Sequence, residues 1–216
     1  MAAKSSKGLK ICITKGTATG NALTATAISS AKPAVVTVAA TAGMAEGDMV
    51  FVGSVGYSEI ANRVFTVSNI SGTDFELVGS DTSSSTGSLS STPTITHFAA
   101  ADIECLCLSS LSISSDTPGT VDVGTYCDPT ASLPSAATSA GTLDFSGYVD
   151  ITDTDYKELL LAAEDNKIRY MRITLPNNGA IVFPVTFSSI TWDLPLDGAV
   201  GYSGSAVLGS KPRHLF

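Results

Sequence analysis

Only one stretch of this chain, Ile151 to Lys167, has a helical period; elsewhere apolar and polar residues alternate in short runs rich in Val, Ile and Thr, broken by Gly and Ser. Strand side chains point to alternate faces, so a period of two marks a half-buried strand, and the chain is predicted to be mainly β. The predicted strands of its larger part are Leu9 to Thr14, Ile103 to Ile113, Thr120 to Gly124, Leu143 to Tyr148, Ile168 to Leu175, Ala180 to Trp192 and Gly198 to Leu208. Arg169 to Leu175 runs straight into Pro176-Asn177-Asn178-Gly179. The Asn-Gly pair suits the positive φ of a tight turn, so the strands on either side are predicted to be antiparallel neighbours.

In the helical stretch, Tyr156, Leu159, Leu160 and Ala163 fall at i, i+3, i+4 and i+7 and form one apolar stripe. Thr152 is placed to cap the first turn with Asp155 three residues on, and acids in that turn complement the helix dipole. A helix of this kind belongs flat on a sheet. The predicted fold is therefore a β-sandwich or barrel with one flanking α-helix.

Composition breaks between about Ala31 and Thr96. The break opens at Lys32-Pro33 and closes with the polar tract Ser80 to Pro93, a low-complexity run expected to connect units and not to pack. Inside it lie four short predicted strands, Val35 to Ala39, Met49 to Gly53, Arg63 to Ile70 and Asp74 to Val78, with Ser71-Gly72-Thr73-Asp74 as a tight hairpin. Residues 32–96 are thus expected to form a small β-barrel-like domain on the outer surface, inserted into a core made of 1–31 and 97–216. Loop-closure entropy alone predicts that replacing the insert by a short linker changes stability by only about a kcal/mol.

Charged residues are only 15% of the chain against 44% hydrophobic, which leaves Ser, Thr, Gly and Ala to cover much of the outside and suits burial against other subunits. A net charge of −8 argues against a surface that grips a phosphate backbone, which needs clustered Lys and Arg. The four cysteines, Cys12, Cys105, Cys107 and Cys127, contain no CxxC pair to chelate zinc with His97 and His214. They are expected to be small buried apolar residues of a protein made in a cytoplasm, with Cys105 and Cys107 on one face of a strand. Only Ile11-Cys12-Ile13 is apolar after the basic N-terminal residues, so no signal peptide is expected, and no apolar run reaches the roughly eighteen residues that span a bilayer.

The sequence offers no catalytic constellation. Gly201-Tyr202-Ser203-Gly204 and Gly56-Tyr57-Ser58-Glu59 both miss the GxSxG elbow, and Gly16-Thr17-Ala18-Thr19-Gly20 lacks the Gly-Lys-Ser/Thr of a phosphate loop. Asp150, Asp153 and Asp155 come closest to an acid cluster, but they open a helix, where acids are expected for the dipole alone. Trp192 is the sole tryptophan, which counts against a sugar groove lined with stacking rings and leaves it a core or subunit contact. No enzymatic activity, metal or cofactor is expected.

The order of elements from Glu104 onwards resembles that of the major tail tube proteins of long-tailed siphophages. An Ile/Leu-rich first strand pair is followed by Val121-Asp122-Val123-Gly124-Thr125 and a long loop rich in Pro, Ser and Ala. Leu143 to Asp150, the single helix, the hairpin around Pro176 to Gly179, Thr186 to Asp193 and a last strand ending in Gly204-Ser205 complete the match, together with Gly8 to Gly16. Gly47 to Gly53, Asn62 to Ile70 and Asp74 to Leu77 of the insert look like a small β-barrel module of phage structural proteins. That module is similar to the first half-domain of the catalytic cysteine region in ubiquitin-activating enzymes; the insert has no cysteine to carry such activity.

The resemblance implies a subunit that assembles into hexameric rings by edge-strand pairing, the rings stacking into a hollow tube that conducts the genome. It implies partners among other tail proteins, such as the tape measure and terminator, with DNA passing through the lumen unbound, and a place in the virion tail after assembly in the host bacterial cytoplasm. Exposed strand edges agree with that role, since a head-to-tail contact that closes by rotation gives a ring. The alternative is an adhesin-type β-module that binds a surface ligand. On the tube reading the bore should repel DNA, and the acids expected to line it are Glu104, Asp116, Asp122, Asp144 and Asp150. The loop Thr125 to Thr142 is expected to bridge rings through Tyr126, Pro129, Leu133 and Pro134, with the N-terminal arm and Lys211 to Phe216 as lesser contacts.

Overall fold

The computed structural model describes residues 9–41, 43–89, 93–114, 120–122, 132–134, 141–175, 179–210 and 213–215. Its elements begin with β1 (Lys10–Thr14), β2 (Asn21–Leu23), β3 (Ala25–Ile28), β4 (Ala34–Val38), β5 (Met49–Val52), β6 (Arg63–Ser71), β7 (Asp74–Leu77) and β8 (Ile95–Phe98). A 3-10 turn at Ala100–Asp102 leads to β9 (Ile103–Leu106), β10 (Ser110–Ser114), β11 (Thr120–Asp122), β12 (Ser132–Pro134) and β13 (Thr142–Tyr148). Then come α1 (Thr154–Asp165), β14 (Arg169–Thr174), β15 (Ala180–Asp193), β16 (Gly201–Leu208) and β17 (Arg213–Leu215). Among the described residues the protein is mainly β with one α-helix, as its alternation predicts.

The first sheet runs β10-β13-β16-β15-β14-β1-β9, antiparallel throughout, with β17 added to the start of β15. Its two end strands, β9 and β10, are joined by only three residues, 107–109, so the sheet curls until its edges approach and forms a nearly closed barrel. The expected single strand Ile103 to Ile113 is in fact these two strands, because the chain must turn from one edge to the other. Inside the curl pack Ile11, Ile13, Leu143, Phe145, Met171, Phe183, Val185, Phe187 and Tyr202, closed by Tyr156, Leu159 and Ala162 of α1. Phe145 lies opposite Gly204 and Tyr202 opposite Gly147, and a Cβ on either glycine would overlap the facing ring.

The helix begins at Thr154, later than expected, and Thr152 does not cap it. Its hydroxyl and backbone N–H both go to Asp150 Oδ1, at 2.6 and 2.9 Å, forming a turn ahead of the helix. The inward stripe is Tyr156, Leu159 and Ala162, while Leu160 and Ala163 are only partly buried. Asn166 ends the helix in the left-handed region at φ 50°.

Cys12 and Cys105 are directly opposed on β1 and β9 and form a disulfide, which corrects the expectation of four reduced cysteines. The pairing depends on the register of two strands far apart in sequence, which no local pattern encodes. Cys107 is free and exposed, outside β9, and Cys127 lies outside the described residues.

The second sheet runs β2-β8-β5-β6-β7-β4-β3 around Val36, Val50, Ile60, Phe65, Phe75, Leu77 and Ile95. The Ser71–Asp74 hairpin is present, with Gly72 at φ +62°. Two strands of this sheet, β2 and β3, precede Lys32, and β8 reaches Phe98. The head of the polar tract is packed, contrary to expectation. Buried Ser80 accepts the Ala34 N–H at 2.8 Å and donates to the Leu77 carbonyl at 2.7 Å, and Thr82 donates to the Ser29 carbonyl at 2.7 Å.

The second sheet rests on the outside of the first where β1, β14 and the start of β15 run. Tyr170 packs between Phe51 and Phe98, ring centroids 5.0 and 5.1 Å away, and Ala180 and Val182 belong to the second sheet's core. Arg172 donates to the Gly47 carbonyl, and burial lowers its pKa against the opposing pull of Asp48. Beside it, buried His97 pairs with Asp48 at 2.8 Å, so the histidine at the insert boundary is an internal polar tie.

Candidate functional site

Past the end of β14, the outer face of the first sheet is free of the second sheet, and its residues follow from the alternation of four strands. Register aligns them in rows across β10, β13, β16 and β15: Ser114, Thr142, Val207, Thr186; then Ser112, Asp144, Ser205, Ser189; then Ser110, Ser146, Ser203, Thr191. Ten of these twelve positions carry a hydroxyl, one is Val207 and one is Asp144. The opposite face of the same strands holds Leu143, Phe145, Phe187, Tyr202, Ala206 and Leu208, all buried. One period of two thus writes both the core and an outer surface of hydroxyls.

The hydroxyls bond laterally. Ser110 and Ser109 meet Ser146 at 2.8 and 2.9 Å, Ser114 meets Thr142 at 2.8 Å, and Ser188, in a bulge of β15, meets Ser205 at 3.0 Å. Such a surface is neutral, hydrated and short in side-chain reach. It offers a passing phosphate no cation, and a passing apolar side chain little to pack on. Among the described residues no base is bonded to any of these hydroxyls.

Of the acids expected to line a bore, only Asp144 lies in this array. Glu104 is half-buried on β9, at the other end of the strand order, paired to Lys15 at 3.3 Å and accepting from the Thr154 hydroxyl at 3.3 Å. Asp150 sits in the turn before α1, its pKa lowered by the Thr152 hydroxyl and N–H. Asp122 is in β11, with its side chain outside the described residues, as are Asp116, Tyr126 and Pro129 entirely. Leu133 and Pro134 are in β12, whose backbone pairs with β11, and their side chains likewise lie outside. The hydroxyl array was readable in the alternation of Ser110 to Ser114, Thr142 to Tyr148 and Gly201 to Leu208; a search for charge passes over it.

Other polar groups serve the fold. Arg169, buried, meets Asp165 at 2.6 Å; burial pushes the Asp165 carboxyl up, but the Lys167 N–H and Arg169 outweigh it and hold the pKa below its usual value. Burial, helped by Asp155, pushes the Tyr202 hydroxyl up to about 12, and the same two causes raise the Cys107 thiol, so neither ionises near neutral pH. Trp192 is half-exposed and donates its indole N–H to the Tyr156 hydroxyl at 2.8 Å. Among the described residues no group of His, Cys, Asp and Glu could hold a metal ion, and no helix is long and apolar enough to cross a membrane.

No family model and no curated protein matches the chain. Among solved structures, it is similar to a chain from the tail of an empty gene transfer agent particle, refined helically with C6 symmetry. That likeness has 14% identity and a TM-score of 0.43, over 54% of this chain and 89% of the other. It is also similar to a chain from the virion of a native gene transfer agent particle, at 18% identity and a TM-score of 0.41, over 54% of this chain and 91% of the other.

Proposed function

We propose that this chain is a tail tube subunit, whose copies join side by side into hexameric rings that stack into a tube, with the hydroxyl face of β10, β13, β16 and β15 turned to the bore. The observation that carries the reading is the four-strand array of ten hydroxyls around one acid. A bore for DNA must not hold it. Duplex DNA presents a charge about every 1.7 Å, so a basic lining would bind at many points, and an apolar one would attract any unfolded or helical protein segment. Hydroxyls do neither, and Asp144, repeated by ring symmetry, adds a weak repulsion within a Debye length of about 8 Å.

On this reading the lining is mainly neutral and Asp144 is its acid, which narrows the acidic lining expected from sequence. The segment between Ser114 and Thr142 leaves and re-enters at one end of the sheet, a position suited to bridging rings through the Thr125 to Thr142 loop. The second sheet, on the opposite flank, faces outward. Its strand pairing supports an inserted unit of residues 21–98, wider than 32–96. Tape measure and terminator proteins are the partners such a tube would meet, in a virion tail assembled in a bacterial cytoplasm. No reaction is assigned to the chain.

Electron microscopy of the purified protein tests the assembly, which requires rings or tubes; a monodisperse monomer that binds a surface ligand is what an adhesin-type module would give. Reversing the bore charge with Asp144→Lys tests the lining. Tubes should still form, while genome delivery by particles carrying the variant falls at least about tenfold. Undiminished delivery by particles shown to contain Asp144→Lys subunits would remove this face from the bore.

A further inference from the structure

We propose that Cys12 and Cys105 form a redox latch at the seam between the two sheets, a dithiol while the chain is made in a reducing cytoplasm and a disulfide once it is outside. The timing rests on the tail tube reading, in which a particle is assembled in a cell and released from it; the latch itself rests on where the pair lies. The alternation that turns Ile11 and Ile13 into the first sheet's core turns Cys12 to the outer face, in one row with Arg172 on β14 and Cys105 on β9. Arg172 reaches the Gly47 carbonyl just ahead of β5, and Cys105 lines a cleft of about 240 Å³ with Gly47, Asp48 and Arg172. The bridge therefore sits where the second sheet meets the first. Every strand of the second sheet belongs to the stretch that leaves β1 at Thr14 and returns to β9 at Ile103, directly opposite. The bond joins residues 93 apart in sequence and closes the foot of that stretch.

The fold supports both states. β9 is an end strand, yet four register pairs with β1, the Lys15 N–H on the Asp102 carbonyl at 2.8 Å, the Lys15–Glu104 ion pair and the Cys107 N–H on Asp155 at 2.8 Å hold it without the bond. Cys12 is 0% exposed, and as a neutral thiol it is a small apolar residue that asks for no partner. Cys105 is half-buried and lines the cleft, so its sulfur is the one a small thiol or disulfide meets. Lys10 and Arg172 stand there against Glu46 and Asp48, which leaves no net charge to turn an anionic reagent away. The oxidant outside the cytoplasm is a low-molecular-weight disulfide, of which glutathione disulfide is the type. Cys105, its proton lost to water, attacks one sulfur of that disulfide and expels a glutathione thiolate. Cys12, likewise deprotonated, attacks the Cys105 sulfur of the mixed disulfide and expels the second. Two electrons and two protons pass from the protein thiols, and two glutathione thiols form. Cys107 does not compete, because burial and Asp155 raise its thiol and leave little thiolate. Closing the bond removes freedom from the unfolded chain, so it stabilises a fold that is already made.

The test equilibrates the full chain in glutathione buffers that run from a cytosol-like to an extracellular-like ratio of thiol to disulfide. Peptide masses after alkylation read the bridge, and denaturant unfolding reads stability. The pair should open in the first buffer and close in the last with one circular dichroism spectrum throughout, the folding constant being at least about thirtyfold larger when closed. Cys12→Ala/Cys105→Ala should match the open chain in every buffer; should it fail to fold, Cys105→Ala alone, at the half-buried position, takes its place. A bridge that stays closed in the cytosol-like buffer, or an open chain that loses its fold, overturns the inference, since the bond is then a permanent part of the structure. Equal stability of the two states, or a bond from Cys105 to Cys107, overturns it as well. Alkylating thiols in intact producing cells and in released particles reads the timing. Thiols in the cells and the bridge in the particles are expected, and one state in both places overturns the latch while the tube reading stands. A purified chain that forms neither rings nor tubes overturns the tube reading instead, and the buffer series then decides the latch alone.

Discussion

Gly204 and Gly147 hold the barrel's aromatic residues in place by having no side chain. Each faces a ring on the neighbouring strand, Phe145 and Tyr202 respectively, and those rings in turn pack with Phe187 and Tyr156. A methyl group on Gly204 would meet both the Phe145 ring and the Ser189 carbonyl, one of them backbone, so neither neighbour gives way cheaply. Gly204→Ala is expected to cost about 1–3 kcal/mol in denaturant unfolding with the m-value unchanged. An unchanged midpoint would mean that the ring does not lie over the glycine. Neither glycine's role could be read from the sequence, where Gly201-Tyr202-Ser203-Gly204 attracts notice only as a failed nucleophile elbow. The role exists only once β13 and β16 are set in register, and so does the Cys12–Cys105 disulfide.

Elements were legible in proportion to the bulk of their alternating residues. β14 and β15 start within a residue of where Ile168 to Leu175 and Ala180 to Trp192 place them, because Met171, Ile173, Phe183 and Phe187 mark one face without ambiguity. Asn21 to Ile28 was not read as strand, since its small Ala and Thr residues show no apolar stripe; its pairing is supplied by β8 and β4 instead. The serine tract misled for a related reason. Composition says that it stays in water, but Ser80 and Thr82 satisfy backbone groups that would otherwise be buried without partners. Ser80→Ala would orphan the Ala34 N–H at a fully buried site, with an expected cost of about 1–3 kcal/mol. The same substitution at Ser83, which is exposed and bonds Asp81, should fall within about 0.5 kcal/mol of the unaltered protein. Equal effects at the two positions, measured by thermal unfolding, would show that the tract is as loose as its composition suggests.

At the scale of the whole molecule the question is whether the second sheet is an appendage. Its attachment favours one, since β1 and β9 are adjacent with Thr14 opposite Ile103, so residues between them leave and return at neighbouring points, as in an enlarged hairpin loop. Loop-closure entropy then predicts almost no penalty for removing them. Packing predicts otherwise. Tyr170 lies against Phe51 and Phe98, and Ala180 and Val182, 8% and 2% exposed, belong to the second sheet's core. Returning those three side chains to water costs on the order of 4 kcal/mol, a large part of the roughly 5–15 kcal/mol by which a domain is stable. Replacing residues 21–98 by a short Gly/Ser linker should therefore yield a barrel that unfolds well below the full chain's midpoint and aggregates through its bared flank. Adding Tyr170→Thr and Val182→Thr to that deletion should recover soluble protein, because polar β-formers on an exposed strand face remove the apolar patch while keeping the strands. A simple deletion as soluble and as heat-stable as the intact chain would show that the covering sheet contributes nothing to the barrel, and the entropic argument alone would then stand.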